Sequence, residues 1–187
     1  MKSVASKILA FGASNSRTSI NKTFAIYAAN QLTNTEVIVA DLNDYEPPLY
    51  SKDLEQENGI HENVLRFYEL IKASDGIVVS VAEYNGLHTS AFKNLWDWLS
   101  RIKMEKAMNI WNGKPMFLLS ASPSRRPMNN VLKVSKELFP YFGAKIVADF
   151  YLPSFNHFFK DGKIVEATYK ATFIEQKKQF QRYLDTI

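Results

Sequence analysis

Cysteine is absent from the 187 residues of this sequence. Its absence excludes disulfide bonds, thiolate nucleophiles and thiolate metal sites together, and it agrees with a reducing compartment. Long apolar runs are also missing near the N-terminus, where only residues 8–11 form a continuous apolar stretch. A helix that spans a bilayer needs about 20 residues. We therefore expect a cytoplasmic protein without a membrane partner.

Glycine is scarce, with seven residues in the whole chain. The segment that follows the first apolar run begins with Gly12 and has no other glycine as far as Lys22. It therefore has neither the G-x-x-x-x-G-K-[ST] pattern of P-loop nucleotidases nor the G-x-G-x-x-G pattern of dinucleotide-binding folds.

Clusters of basic residues are few, although the formal net charge is +4. The lysines and arginines are scattered apart from pairs such as Arg125-Arg126 and Lys177-Lys178. A nucleic-acid-binding domain usually gathers its basic residues into one patch or stripe. We interpret the charge as a solvated surface that mildly favours anionic ligands, and we expect no nucleic-acid partner.

The chain does contain a regular alternation of strand and helix patterns. Short apolar or β-branched runs predict five strands, at residues 7–11, 35–41, 76–81, 115–120 and 145–151. Apolar positions at helical spacing predict helices at residues 19–32, 63–73, 90–101 and 128–142, and a last helix at 169–184. Residues 43–58, which include Pro47-Pro48, are predicted to be a loop.

This alternation indicates an α/β fold, a doubly wound parallel sheet with helices on both faces, formed by one domain over residues 1–187. Ligands of such sheets bind beyond the carboxyl ends of the strands, at the topological switch point. The loops after the first, third and fourth strands are therefore the candidate site. They comprise residues 12–19, 82–90 and 121–127.

The first loop combines hydroxyl groups and cations at the start of a helix. Unpaired N–H groups and a partial positive charge at a helix N-terminus attract phosphate, and hydroxyls, amides and cations add donors. The residues that supply these groups are Ser14, Asn15, Ser16, Arg17, Thr18, Ser19, Ile20, Asn21 and Lys22. The simpler alternative is an ordinary N-cap at Ser19, but a cap needs only one such residue. We predict phosphate binding here.

The second loop offers a flat aromatic surface beside polar groups. The Tyr84 ring can lie against a flavin, and Asn85 with neighbouring amides can pair with the polar edge of that ring. Gly86 lets the backbone approach closely. The alternative is a turn with a half-buried tyrosine.

Two motifs in these loops resemble the NADPH-dependent FMN reductases of flavodoxin-like fold, which include quinone, azo-dye and chromate reductases. The family's first motif, roughly G-S-x-R-x-x-S-x-N, falls on residues 13–21, and its P-E-Y-N motif falls on residues 82–85. A following segment that ends L-K-N-A-L-D-W falls on residues 92–98. The resemblance covers essentially the whole chain and implies a flavodoxin-like sheet of order 2-1-3-4-5.

The resemblance also implies FMN as the cofactor, NAD(P)H as co-substrate and a small-molecule electron acceptor. The first loop would hold the FMN phosphate, and the second would line the isoalloxazine ring. The cofactor-binding residues that we predict are Ser14, Ser16, Arg17, Ser19, Ile20, Asn21, Glu83, Tyr84, Asn85, Gly86, Ser120 and Ser122. The cofactor carries the chemistry, so we predict no catalytic side chain.

Family members commonly form dimers, so we expect a homo-oligomer, either a dimer or a tetramer. The non-enzyme alternative is an electron-carrier flavodoxin, but such carriers are typically acidic. A third alternative is an interaction module that binds no FMN.

The sequence departs from the family motifs at several positions. Ser16 replaces an arginine and Ala82 replaces a proline. The third loop begins S-A-S-P at Ser120, as in the family, but carries Arg125 and Arg126 where the family has a glycine-rich stretch. Either the phosphate of the nicotinamide cofactor faces one of these arginines, or both point to solvent.

The histidines, the tryptophans and an aromatic run are predicted to have structural rather than catalytic roles. The three histidines lack the spacing of metal ligands. His88 lies in the second loop, where it could contact a substrate, but it is predicted to be a surface loop residue. The three tryptophans are predicted core or subunit-interface residues. The aromatic run at residues 155–159 is predicted to form a lid or a dimer surface.

Overall fold

A computed structural model describes residues 5–102, 109–125 and 129–187. Strands and helices alternate along these residues, with a 3₁₀ turn at Leu42–Tyr45. The strands are β1 (Ser6–Ala13), β2 (Thr35–Ala40), β3 (Gly76–Val81), β4 (Glu83–Tyr84), β5 (Leu87–His88), β6 (Pro115–Ala121), β7 (Lys145–Leu152), β8 (Phe159–Lys160) and β9 (Lys163–Ile164). The helices are α1 (Ile20–Asn30), α2 (Lys52–Asn58), α3 (Glu62–Ala73), α4 (Ser90–Leu99), α5 (Asn130–Tyr141), α6 (Phe155–Phe158) and α7 (Ala167–Leu184).

Five strands form a parallel sheet in the order β2-β1-β3-β6-β7. Counting only these five along the chain gives the order 2-1-3-4-5, so the predicted flavodoxin-like architecture is confirmed. The central strand β3 is buried along its whole length, which explains its nearly continuous apolar sequence. The order reverses at β1 and β3, where the carboxyl ends of neighbouring strands open a crevice.

Two hydrophobic clusters cover the two faces of the sheet. One cluster packs α3, α4 and α5 against side chains such as Phe11 and Val79. The other packs α1 and α7 against the opposite face, with Phe24 and Phe173 at its centre. All three tryptophans lie in the first cluster, so their prediction as core residues is confirmed.

Two predictions about the connecting segments are wrong. Residues 43–58 are not an uninterrupted loop, because the side chains of Asp41 and Ser51 accept backbone hydrogen bonds that start the 3₁₀ turn and α2. The aromatic run at 155–159 packs on the core and forms no lid, while its role as a dimer surface stays a prediction. Phe155 is buried against Phe24, and Phe158 and Phe159 pack on the same cluster.

A two-residue hairpin connects β4 and β5. Asn85 and Gly86 at its tip have φ values of 54° and 86°, the pair of positive φ angles that a type I′ turn requires. Glu83 is paired with His88, and Tyr84 with Leu87. The hairpin places these four side chains beside the carboxyl end of β3. A similar turn at Asp161-Gly162 joins β8 to β9.

Strand β7 lies at one edge of the sheet, and α7 contacts its outer backbone. The Nε2 of Gln179 donates to the carbonyl of Val147 over 2.7 Å, and the Oε1 of Gln176 accepts from the amide of Asp149 over 3.2 Å. The register with β6 skips Val147, so one glutamine satisfies the carbonyl of an unpaired strand residue. Among the helices that the structure describes, none is long and apolar enough to cross a bilayer.

Candidate functional site

An open cleft of about 330 Å³ lies beyond the carboxyl ends of β1, β3 and β6. Four segments form its walls: the loop that enters α1, the start of the β4–β5 hairpin, the loop after β6 and the helix α6. Its lining residues are Ser14, Ser16, Thr18, Ser19, Ile20, Asn21, Ala82, Glu83, Tyr84, Ala121, Ser122, Pro123 and Asn156. The cleft thus brings together eight of the twelve predicted cofactor-binding residues.

The missing side chain of Gly12 allows α1 to begin directly against the end of β1. A Cβ at this position would collide with the backbone of Asn21 and Lys22. The close approach brings the N-terminus of α1 to the carboxyl edge of the sheet, where its first N–H groups lack partners from a preceding turn. The sequence therefore builds an anion-attracting helix terminus into the wall of the cleft.

The hydroxyl groups of the first loop are held in place by local backbone bonds. The Oγ of Ser14 accepts from the amide of Ser16 over 3.1 Å, and the Oγ of Ser19 accepts from the amide of Lys22 over 3.1 Å. Ser19 is therefore the N-cap of α1. Capping uses a lone pair and leaves the hydroxyl proton available as a donor, so the N-cap interpretation and the phosphate interpretation are compatible.

Lys22, Arg17 and Arg125 are the cationic side chains that the structure describes near this loop, and none of them lines the cleft. The Nζ of Lys22 lies 2.6 Å from Asp41 at the end of β2. Partial burial acts to raise the pKa of Asp41, but hydrogen bonds from Lys22 and Asn43 lower it overall. Arg17 is exposed beside the lining residues, and Arg125 is exposed in the third loop. Arg126 lies outside the described residues.

Asn21 reaches across the cleft floor and is itself buried. Its Oδ1 accepts hydrogen bonds from the hydroxyl of Ser80 and from the amide of Ala121, at 2.7 and 2.9 Å. Its side chain therefore joins the first turn of α1 to the ends of β3 and β6. This cross-link fixes the position of the first loop relative to the third.

The hairpin contributes a flat wall. Tyr84 lines the cleft and is 51% exposed, so its ring is accessible to a ligand. Glu83 also lines the cleft, and its Oε2 accepts from the amide of Val131 in α5 over 2.9 Å. Asn85 and Gly86 form the tip of the hairpin and do not line the cleft.

The segment that resembles L-K-N-A-L-D-W has an anchoring role. The amide of Asn94 donates to the carbonyls of Pro47 and Pro48, and its Oδ1 accepts from the backbone amide of Tyr50. The indole of Trp98 also donates to Pro48, over 2.8 Å. These bonds tie the segment after β2 to α4, which starts at the hairpin.

The third loop is tied to the segment after β7. Ser122 lines the cleft, its Oγ accepts from the amide of Ser124, and its carbonyl accepts from the amide of Phe155. This contact places Asn156 on the cleft wall, a residue that the sequence prediction missed. Ser120 does not line the cleft, because its buried hydroxyl donates to the carbonyl of Val81 over 2.8 Å.

His88 is half-buried in an aromatic cluster, so its prediction as a surface loop residue is wrong. Its ring lies 5.3 Å from Trp96 and 5.8 Å from Phe139, measured between centroids. Burial, with a smaller effect from Lys93, lowers the pKa of His88 from 6.5 to about 4. The imidazole is therefore neutral at physiological pH.

The composition of the cleft fits FMN. Hydroxyls at a helix N-terminus suit a phosphate, and an exposed tyrosine ring beside backbone amides suits a flat heterocycle. Within residues 5–102, 109–125 and 129–187, no three histidine, aspartate or glutamate side chains come together as metal ligands would.

Comparison with known sequences identifies the family. The sequence profile of the NADPH-dependent FMN reductases matches residues 6–157. The chain belongs to this family. A quinone reductase of Escherichia coli K12 is 33% identical over 97 residues, which cover 52% of this chain and 47% of that protein. An NAD(P)H-dependent FMN reductase of Pseudomonas aeruginosa is 36% identical over 78 residues, 42% of this chain and 40% of that protein. The matches thus span about half the length of these two relatives, or less.

Solved structures agree with the flavodoxin-like fold of the FMN reductase family. The NAD(P)H:(acceptor) oxidoreductase FerB of Paracoccus denitrificans superposes with a TM-score of 0.77 at 19% identity, and the match covers 97% of this chain and 98% of that one. An azoreductase of Bacillus anthracis superposes with a TM-score of 0.59 at 14% identity, covering 97% of this chain and 100% of the other. At these identities the likeness shows the fold.

Proposed function

We propose that the protein is an NAD(P)H-dependent FMN oxidoreductase that reduces a small acceptor such as a quinone. The observation that carries this proposal is the convergence of two different surfaces on one cleft. The hydroxyl-bearing loop at the start of α1 and Tyr84 of the hairpin both line it. Family membership and the names of the relatives support the same reaction.

In this proposal each surface holds one part of the cofactor. Ser14, Ser16 and Ser19, together with the N–H groups of the first turn of α1, hold the phosphate. Tyr84 and the backbone of the hairpin hold the isoalloxazine ring. When bound, FMN supplies the hydride and electron transfer between NAD(P)H and the acceptor. The chain contributes orientation, because reacting groups must be placed within about 3.5 Å of each other.

The test combines flavin binding with turnover. Purified protein should quench FMN fluorescence on binding and should oxidise NADPH when FMN and a benzoquinone are present. Tyr84→Ala should weaken FMN binding about 10-fold, since aromatic stacking on a base contributes 1–3 kcal/mol. Tyr141→Ala is the matched control, because Tyr141 is an exposed tyrosine of α5 that does not line the cleft.

Three outcomes separate the alternatives. Failure to bind FMN would refute the proposal. Tight FMN binding without NADPH oxidation would instead indicate an electron carrier. Equal weakening in Tyr84→Ala and Tyr141→Ala would show that the ring does not lie against the hairpin.

We also propose a cytoplasmic homodimer. An apolar groove of about 360 Å³ runs between α4 and α5 and is lined by Leu87 and Leu138, which are 58% and 39% exposed. The ion pair Lys93–Asp97 borders it, so the groove has an apolar centre with a charged rim, as protein interfaces commonly do. Leu138→Glu should yield monomers in sedimentation, whereas Ile174→Glu, on α7, should not. Cell fractionation tests the location.

A further inference from the structure

We propose that His88 is a positioning residue for the flavin. Together with Ser135 of α5, it fixes the β4–β5 hairpin and thereby the wall of the cleft that carries Tyr84. This role rests on the proposed function, because the ring it would position is that of FMN. His88 itself does not line the cleft. It lines the groove between α4 and α5.

The hydrogen bonds around Ser135 show which ring nitrogen of His88 carries the proton. Its Nε2 lies 2.7 Å from the Oγ of Ser135, and that hydroxyl donates to the carbonyl of Val131 over 2.7 Å. A serine hydroxyl has one proton to give. Because the carbonyl takes it, the donor between His88 and Ser135 is the imidazole Nε2–H, which fixes the tautomer.

The same helix residue also holds the other strand of the hairpin. The amide of Val131 donates to the Oε2 of Glu83 over 2.9 Å, and Glu83 is the cross-strand partner of His88. The two strands are thus bonded to one residue of α5, one strand directly and the other through Ser135. We call this closed path of Glu83, Val131, Ser135 and His88 the hairpin clamp.

The hairpin depends on the clamp for its position. Each of its strands has only two residues, and an isolated two-stranded hairpin is marginally stable in water. Asn129, the N-cap of α5, makes no side-chain capping bond. The carboxylate of Glu83 instead accepts from the amide of Val131 in the first turn of α5 and caps this helix from the hairpin. The ring of His88 is packed against Phe92, Trp96 and Phe139, which leaves it little freedom to turn.

The first test follows the hairpin without any cofactor. Hydrogen exchange of the amides of residues 83–88 should be faster in His88→Leu and in Ser135→Ala than in the wild type, while exchange in β3 is unchanged. His88→Gln should stay close to the wild type, because its amide Nε2–H can replace the imidazole donor. Ser74→Ala is the matched control, since Ser74 is a buried serine that donates to a helix carbonyl far from the hairpin.

The second test compares FMN with riboflavin, which lacks the phosphate. His88→Leu should weaken the binding of both about 3- to 10-fold, as expected for the loss of one hydrogen bond, so that their affinity ratio is unchanged. The absorption spectrum of the bound flavin should shift in His88→Leu and return in His88→Gln. Sedimentation of each variant checks that assembly is unaltered.

The outcomes distinguish this role from the proposed function. Wild-type protein that binds no flavin would refute both. Normal flavin binding with unchanged hairpin exchange in His88→Leu and Ser135→Ala would refute the clamp alone. An affinity loss for FMN but not for riboflavin would also refute it, because the effect would then lie at the phosphate. Additive effects of His88→Leu and Ser135→Ala would show that the two residues do not act through one path.

Discussion

The side-chain carboxamide of Asn21 and the backbone of Ala121 exchange two hydrogen bonds. The Nδ2 of Asn21 donates to the carbonyl of Ala121 over 3.1 Å, and the amide of Ala121 donates back to Oδ1 over 2.9 Å. The carboxamide thus behaves as a short extra strand beside the end of β6. It couples the first loop, at the start of α1, to the third loop.

Replacing Asn21 by Leu should destabilise the protein by about 1–3 kcal/mol, because the buried amide and carbonyl of Ala121 and the hydroxyl of Ser80 lose their partner. Urea unfolding measures the change. Asn30→Ala, at the exposed end of the same helix, should change the free energy of unfolding by at most about 0.5 kcal/mol. Equal effects of the two substitutions would show that the Asn21 contacts contribute nothing.

Gly12→Ala should impair both stability and flavin binding. Its methyl group would meet the backbone of Asn21 and Lys22, and overpacking of this kind costs about 1–3 kcal/mol. Thermal unfolding and FMN titration measure the two effects. Gly76→Ala is the control in the neighbouring strand, where the three atoms nearest to a methyl are side-chain ends of Ile8, Phe180 and Leu184 and not backbone. A Gly12→Ala protein that binds FMN normally would contradict the need for close approach.

Ser19→Ala should separate phosphate recognition from ring recognition. FMN affinity should fall about 10- to 100-fold through loss of a bond to a charged group, while riboflavin affinity stays nearly the same. Removing the N-cap should also lower stability by about 0.5–2 kcal/mol. Ser51→Ala removes the equivalent cap of α2 and should affect stability only. Parallel losses for FMN and riboflavin would place the phosphate elsewhere.

The buried His88 should make the protein less stable in acid. Burial, assisted by Lys93, lowers its folded-state pKa to about 4 from 6.5, so the unfolded chain binds the extra proton between these values and stability falls as pH falls through this window. The melting temperature of the wild type minus that of His88→Leu should therefore decrease as the pH is lowered from 6.5 toward 4. A constant difference for His88→Leu would contradict the prediction.

The sheet could be predicted because each strand has a local signature. The run 76–81 coincides with β3, and the other four predicted runs each lie within one or two residues of the observed strands. The loops at the carboxyl ends followed from the general rule for parallel sheets. Asn156 lies in α6, shortly after the carboxyl end of β7, and no local pattern singles it out.

The finer details of the site depend on contacts between distant residues. His88 and Ser135 are 47 positions apart, and no local pattern connects them. Ser120 and Ser122 look equivalent in the sequence, yet one faces β3 and the other the cleft. The hairpin did have a local signal, since Asn85-Gly86 between Tyr84 and Leu87 is typical of a type I′ turn.

The two glutamines of α7 that bind β7 restrict how copies of this protein can join. Strand edges with free peptide groups allow sheets of separate molecules to merge. Here Gln176 and Gln179 already occupy the outward amide of Asp149 and carbonyl of Val147. A neighbouring molecule would have to displace both before it could add a strand. Assembly through helix surfaces is thereby favoured, and fibre-like growth from this side is discouraged.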